Sequence, residues 1–247
     1  MIKLMVHVVK IVIATVVALL FGSCKFESNG FGESIKGSGN VVTKERNVSD
    51  FTKVELKRGL DCEVVQSKTF KVEVEADDNL QEGIFTTVEN GTLVVSSKYN
   101  NYHNVASKKV KIYMPVINAL QTSSGADLRT VGVIKGNDIH LKSGSGSTIT
   151  AEVESENITL ESTSGSTIKA SGKAILVNTL ASSGSSIEAE RLLANEIRAQ
   201  STSGSSTKVN PILKLNAQAS SGSNVEYVNA PKQISKQETS GGSVSQD

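Results

Sequence analysis

Ser164-Gly165-Ser166-Thr167-Ile168-Lys169-Ala170 is followed, nineteen residues on, by Ser183-Gly184-Ser185-Ser186-Ile187-Glu188-Ala189. The Ser-Gly pair recurs from residue 124 onward, with its glycine at Gly125, Gly146, Gly165, Gly184, Gly204, Gly222 and Gly241, in steps of 21, 19, 19, 20, 18 and 19 residues. Aligned on that glycine, the third following residue is Leu128, Ile149, Ile168, Ile187, Thr207, Val225 or Val244. The fifth is Thr130, Ala151, Ala170, Ala189, Val209, Tyr227 or Gln246. Seven before the glycine stand Ile139, Ile158, Val177, Ile197, Leu215 and Ile234 from the second unit on. A Gly/Ser linker would not hold aliphatic residues at fixed offsets. Internal repeats of about twenty residues, each with two short alternating segments, are the signature of stacked rungs. One rung cannot bury its apolar row alone, but a stack joins the rows into one narrow core. The glycine reaches a positive φ without steric cost, so it can turn the chain at each corner. Flanking serine hydroxyls can serve amides that the ladder leaves free.

The outward positions suit a parallel stack. Four after the glycine come Lys169, Glu188, Lys208 and Glu226, neighbours of alternating sign. Four before it come Gln200, Gln218 and Gln237, which can form an amide ladder. The fold expected is all-β: a parallel β-helix (β-solenoid) over 119–247, with rungs of about 19–20 residues and a strand-rich amino-terminal part over 45–118. In that part, Phe70 to Glu75 and Val110 to Met114 alternate as half-buried strands. Asn90-Gly91 is a hairpin signal, and Leu80 to Phe85 has room for no more than a short turn.

The chain start carries a different signal. Lys3 and Lys10 accompany an apolar run from Ile11 to Phe21, followed by Gly22-Ser23-Cys24. This pattern reads as an export signal over 1–23. Small residues directly before the cysteine resemble a bacterial lipobox, which implies lipidation of Cys24 and a membrane partner reached through that lipid. Residues 24–44, rich in Gly, Ser, Asn and charge, are expected to be a flexible tether. Cys62 lies in an alternating segment and is expected to be a buried core residue.

Composition narrows the function classes. The 247 residues hold 26 Lys+Arg against 25 Asp+Glu, so no basic excess points to nucleic acid. No acid–base constellation stands out. Asp77-Asp78 reads as turn chemistry, and Glu152 and Glu190 share an aligned position with Ser171 between them. His103 and His140 have no His or Cys partner at metal-ligand spacing. Neither a metal nor a cofactor is expected, and no catalytic residue is assigned. Thr148 and Thr150 begin an ice-binding-like threonine face, but Lys169, Glu188 and Lys208 interrupt it.

Gly37-Ser38-Gly39-Asn40-Val41, Arg46 followed by Phe51 and Val54, Val110 to Pro115, and Leu120 to Ser124-Gly125-Ala126 leading into the repeats resemble one family. It is the putative auto-transporter adhesin, head GIN domain family, and the resemblance spans about residues 40–240. It implies a right-handed β-helix-like fold at the cell surface or in the periplasm, with lipid at Cys24 as anchor in place of a carboxy-terminal barrel. The function expected is an adhesin-like binding or structural role in the cell envelope, with a glycan or a surface protein as ligand. The alternative is a carbohydrate-binding or carbohydrate-active β-helix.

Overall fold

The computed structural model describes residues 33–247, so the expected export signal and the expected lipidation site Cys24 lie outside the described residues. β1 (Glu33–Lys36) and β2 (Val41–Arg46) precede β3 (Lys53–Leu56), β4 (Asp61–Gln66) and β5 (Lys71–Asp77). A 3-10 helix, Asp78–Gly83, then leads to β6 (Ile84–Glu89), β7 (Thr92–Ser97), β8 (Tyr99–His103), β9 (Lys108–Met114) and β10 (Ala119–Thr122). Long strands follow: β11 (Asp127–Ser143), β12 (Thr148–Ser162), β13 (Thr167–Ala181), β14 (Ser186–Ser201) and β15 (Ser206–Ser220). β16 (Asn224–Tyr227), β17 (Gln233–Thr239) and β18 (Ser243–Gln246) complete the order.

The repeats stack in parallel, as their spacing requires, into a β-solenoid of about seven turns. Ile149 pairs with Ile168 and Ile168 with Ile187, and all three are fully buried. The ladder extends further than the repeat: Val110, Cys62, Leu128, Ile149, Ile168, Ile187, Thr207, Val225 and Val244 pair rung by rung. A second ladder on the other sheet runs Leu93, Val54, Leu120, Leu141, Leu160, Thr179, Ala199, Ala217 and Lys236. From Leu120 to Ala217 its side chains shrink from leucine to alanine. The outward charge row is in register too. Lys169 Nζ is 3.1 Å from Glu188, whereas Lys208 turns to Glu226 at 2.8 Å rather than to Glu188.

Each corner is tighter than the glycine alone required. Ser164 has φ +54° and Gly165 +68°, so two consecutive residues are left-handed, and the same pair of angles recurs at every Ser-Gly. That combination makes a type I′ turn, closed by Ser166 N–H donating to Thr163 O at 3.3 Å. Gly165 N–H donates to Ser183 O of the next rung at 3.1 Å, and this bond repeats along the edge. The serine after the glycine is the buried one. Ser166 Oγ accepts from Thr163 N–H at 3.0 Å and lies 2.7 Å from both Thr163 O and Ser143 O. Ser147, Ser185, Ser205 and Ser223 are buried at the equivalent positions.

Unequal repeat lengths are absorbed at the bend opposite these turns. Pairing slips between Arg129 and Val133, between Lys169 and Ser171, and between Ala189 and Leu193, while the residues flanking each Ser-Gly stay in register. The slip pairs Ser171 with Arg191, so Glu190 does not continue the Glu152 row that the residue count gave it.

The solenoid also begins before residue 119. Arg58-Gly59 has the same double left-handed turn, with φ of +59° and +66°, and Gly59 N–H donates to Ser124 O at 3.0 Å. β3 pairs with β10 and β7, and β4 pairs with β11 and β9, all in parallel. Antiparallel strands then close this end: β6 on β7, β5 on β9 and β2 on β5. Asn90-Gly91 makes the expected hairpin, with φ of +51° and +72°.

The flexible tether expected over 24–44 is corrected from residue 33 on. β1 pairs with β8, and β2 pairs with β5. The Gly-Ser-Gly-Asn segment between them is held by acids. Gly39 N–H donates to Asp77 Oδ2 at 2.9 Å, Ser38 Oγ to Asp78 at 2.6 Å and Asn40 Nδ2 to Asp78 at 3.0 Å. Gly37 is required by close approach, since a Cβ there would meet the Asp77 carboxylate and the Asn104 backbone. A composition that usually signals mobility here answers packing.

At the far end, β17 and β18 pair on one side only among the described residues. There Lys236 and Glu238 take the inward positions held one rung earlier by Ala217 and Ala219. Lys236 Nζ donates to Val244 O at 3.1 Å, and Val244 N–H donates to Glu238 Oε1 at 2.6 Å. Lys236 also lies 4.9 Å from the Tyr227 ring centroid. Two charged side chains thus satisfy the backbone groups of Val244. Inward charges are a recognised way of blunting a sheet edge.

Candidate functional site

The two outer sheet faces differ in chemistry. On the face that follows each Ser-Gly turn, charges neutralise one another across rungs. Lys111 pairs with Glu75 at 2.8 Å, Lys108 with Asp61 at 2.8 Å and Lys109 with Glu63 at 3.3 Å, while Arg129 hydrogen-bonds to Glu63. Arg129 above all, with Lys109, holds the Glu63 carboxyl below the usual carboxylate range despite opposing burial. Asp127 is raised instead, first by burial and then by the negative charge of Asp61, its partner in register.

The face that precedes each turn presents mainly neutral hydrogen-bonding groups. One outward ladder runs Thr159, Asn178, Arg198, Asn216 and Ser235, and the next runs Glu161, Leu180, Gln200, Gln218 and Gln237. Gln200 Nε2 donates to Gln218 Oε1 at 3.3 Å, so part of the expected amide ladder is formed. These residues line an open groove of about 480 Å³. A second groove of about 660 Å³ lies on the same face nearer the amino-terminal half and includes Asn118, His140 and Asn157. Glu161 is paired at its edge with Lys142 at 3.0 Å, and His140 Nε2 lies 3.3 Å from its carboxylate.

The arrangement offers donors and acceptors at a spacing of ~4.8 Å along the solenoid. Amide side chains of this kind each donate and accept, which suits recognition of hydroxyl-rich ligands. Among the described residues, no group of three His, Cys, Asp or Glu side chains could hold a metal ion. Asp77, fully buried, accepts from Ala106 and Ser107 N–H at 3.0 and 2.9 Å, so the Asp77-Asp78 pair organises loops. Cys62 sits in the core, where burial, with smaller contributions from Glu63 and Asp61, pushes its thiol pKa far up.

A third surface is apolar. Val131, Ile175, Leu193 and Ile212 are each exposed at the bend side, and the last three line a shallow depression with Glu154 and Lys173. Sequence reading missed both this ridge and the Asn/Arg ladder. The ladder had a signal: six before the glycine stand His140, Thr159, Asn178, Arg198, Asn216 and Ser235, every one polar. The ridge had none, because the residues that form it fall where the repeat length varies.

Solved structures share this architecture at low identity. A putative adhesin from Bacteroides fragilis NCTC 9343 matches with a TM-score of 0.80 at 19% identity, over 86% of this chain and 100% of its own. A putative lipid binding protein from Parabacteroides distasonis ATCC 8503 matches with a TM-score of 0.68 at 20% identity, over 87% and 100%. A putative adhesin from Parabacteroides merdae ATCC 43184 gives 0.62 at 17%, over 87% and 99%. No curated protein matches the chain significantly. A family model matches residues 50–231, which contain the Arg58-Gly59 rung and all but the last of the Ser-Gly turns. The chain belongs to the family described as putative auto-transporter adhesin, head GIN domain.

Proposed function

We propose that the protein is a lipid-anchored cell-envelope protein that acts by binding rather than by catalysis. Its ligand surface is the amide-lined sheet face, and the ligand is a polar extracellular glycan. The observation that carries this reading is the run of hydrogen-bonding side chains in register across successive rungs, from Thr159 to Ser235, in an open groove. Identical spacing from rung to rung suits a ligand that is itself a repeat. Many weak contacts then gain through effective concentration. The chain has no Trp and only four Tyr, so affinity would rest on hydrogen bonds rather than on sugar stacking. The family's adhesin description is in keeping with a cell-surface setting.

Binding of the full-length chain in detergent to a glycan array tests the reading. Asn178→Ala with Asn216→Ala should abolish the strongest signals while leaving the fold intact. Unchanged binding by that double variant would assign recognition elsewhere. The anchor is tested separately: Cys24→Ala should lose fatty-acid label and membrane association, and equal label on both proteins would exclude lipid at that position. A protein partner docked on the exposed ridge of Ile175, Leu193 and Ile212 is the second reading, favoured by the size of those side chains.

A further inference from the structure

We propose that Arg198 is an anion subsite on the amide-lined face, and that the glycan it selects carries a carboxylate, as an acidic polysaccharide built on uronic acids does. The inference rests on the glycan-binding reading of that face and narrows it to a substrate class. Three observations carry it. First, Arg198 lines the groove and stands in register between Asn178 and Asn216. Second, it enters none of the ion pairs formed among the described residues, whereas the acid at the groove edge, Glu161, is engaged by Lys142. Glu196, two residues before it on the same strand, stands in register with Lys214 and does not come within ion-pair distance of Arg198. Arg198 is thus the one cation lining the groove, and no carboxylate among the described residues is paired with it. Third, an arginine on the ionic face is used quite differently: Arg129 is spent on Glu63.

The chemistry follows from the guanidinium. Its planar fork matches a carboxylate through two parallel hydrogen bonds, a geometry that a lysine cannot reproduce. The neighbouring amides can take the ring hydroxyls beside that carboxylate. The rung spacing of ~4.8 Å is close to the length of one sugar residue in an extended chain, so a polysaccharide lying along the solenoid axis would pass one unit per rung. A carboxylated unit at Arg198 would then place its neighbours at Asn178 and Asn216.

The test measures binding of the full-length chain to a polyuronate, to a neutral polysaccharide of matched length and to a sulfated one. The polyuronate should bind best and weaken as salt rises, since the contact is ionic. Arg198→Gln should weaken it about ten-fold or more, well beyond any loss of neutral-glycan binding, and Arg198→Lys should recover only part of the loss. Arg198 is exposed on the sheet, so circular dichroism should show both variants folded. Equal polyuronate binding by wild type and Arg198→Gln would overturn the subsite. If the Asn178→Ala, Asn216→Ala variant still lost binding in that case, the glycan face would stand without its anion preference. Preference for the sulfated polymer would overturn the carboxylate assignment. No binding to any of the three would overturn the inference together with the reading of the face.

Discussion

Ile168→Ala should cost the solenoid several times what Lys169→Ala costs, although the two residues are adjacent. Ile168 is fully buried, between Ile149 and Ile187 on neighbouring rungs. Truncation to alanine removes three carbons, worth about 0.8 kcal/mol each, or roughly 2.4 kcal/mol of transfer free energy. The rungs above and below fix the strand, so collapse is limited, and a residual cavity of about 40 Å³ at ~24 cal/mol per Å³ adds roughly 1 kcal/mol. The total is about 3–4 kcal/mol. Lys169 is half exposed and pairs with Glu188 at 3.1 Å, a contact worth about 0–1 kcal/mol. Urea unfolding followed by circular dichroism measures both. Stacked repeats can lose cooperativity, so hydrogen exchange of the rungs flanking residue 168 should accompany the melt and show where protection falls. Equal losses at the two positions would refute the register and, with it, the assignment of inward and outward faces.

Replacing Lys236 and Glu238 by alanine, the residue found one rung earlier at both positions, should expose the Val244 backbone groups and an apolar end. Sedimentation should then show more concentration-dependent association than in the parent, and identical behaviour would deny them a capping role. Asp127→Asn should raise stability at neutral pH by less than about 1 kcal/mol, discounted for exposure. Because the folded state raises this acid, its penalty is present above the raised folded value, fades as pH falls through it and is gone below the unfolded value of about 3.9. A gain that persisted at pH 3 would point to some cause other than charge. Cys62 should resist thiol reagents at neutral pH until the protein unfolds, since it is buried and its thiolate is disfavoured, and rapid labelling of the native protein would contradict that.

Much of the fold was legible because it is periodic. An aliphatic residue three after each glycine can hold that place only if its neighbours are rungs, and Ile149, Ile168 and Ile187 stack as that spacing requires. Where the period falters, the sequence misleads. Glu190 was aligned by counting, but a slip between Lys169 and Ser171 displaces it. Arg58-Gly59 escaped notice as a corner because arginine stands where serine recurs, although Leu60, Cys62 and Val64 follow with the repeat's spacing. Gly37 to Asn40 looked like a linker because short-range composition cannot reveal acids forty residues away. Those acids, Asp77 and Asp78, fix the segment. The positive φ of each turn serine was hidden for a related reason. Serine is not a usual left-handed residue, and at six of the seven turns the following glycine donates to the next rung, a bond that short-range sequence does not show.

If the amide-lined face, rather than the ionic face or the apolar ridge, is where this protein meets its ligand, hydrogen exchange of the full-length chain with and without the best glycan from the array will show it. New protection should be confined to the strand segments 157–162, 176–181, 196–201 and 214–219, whose outward side chains line the groove. Protection centred instead on Ile175, Leu193 and Ile212, or spread along the Lys169, Glu188 and Lys208 row, would contradict it.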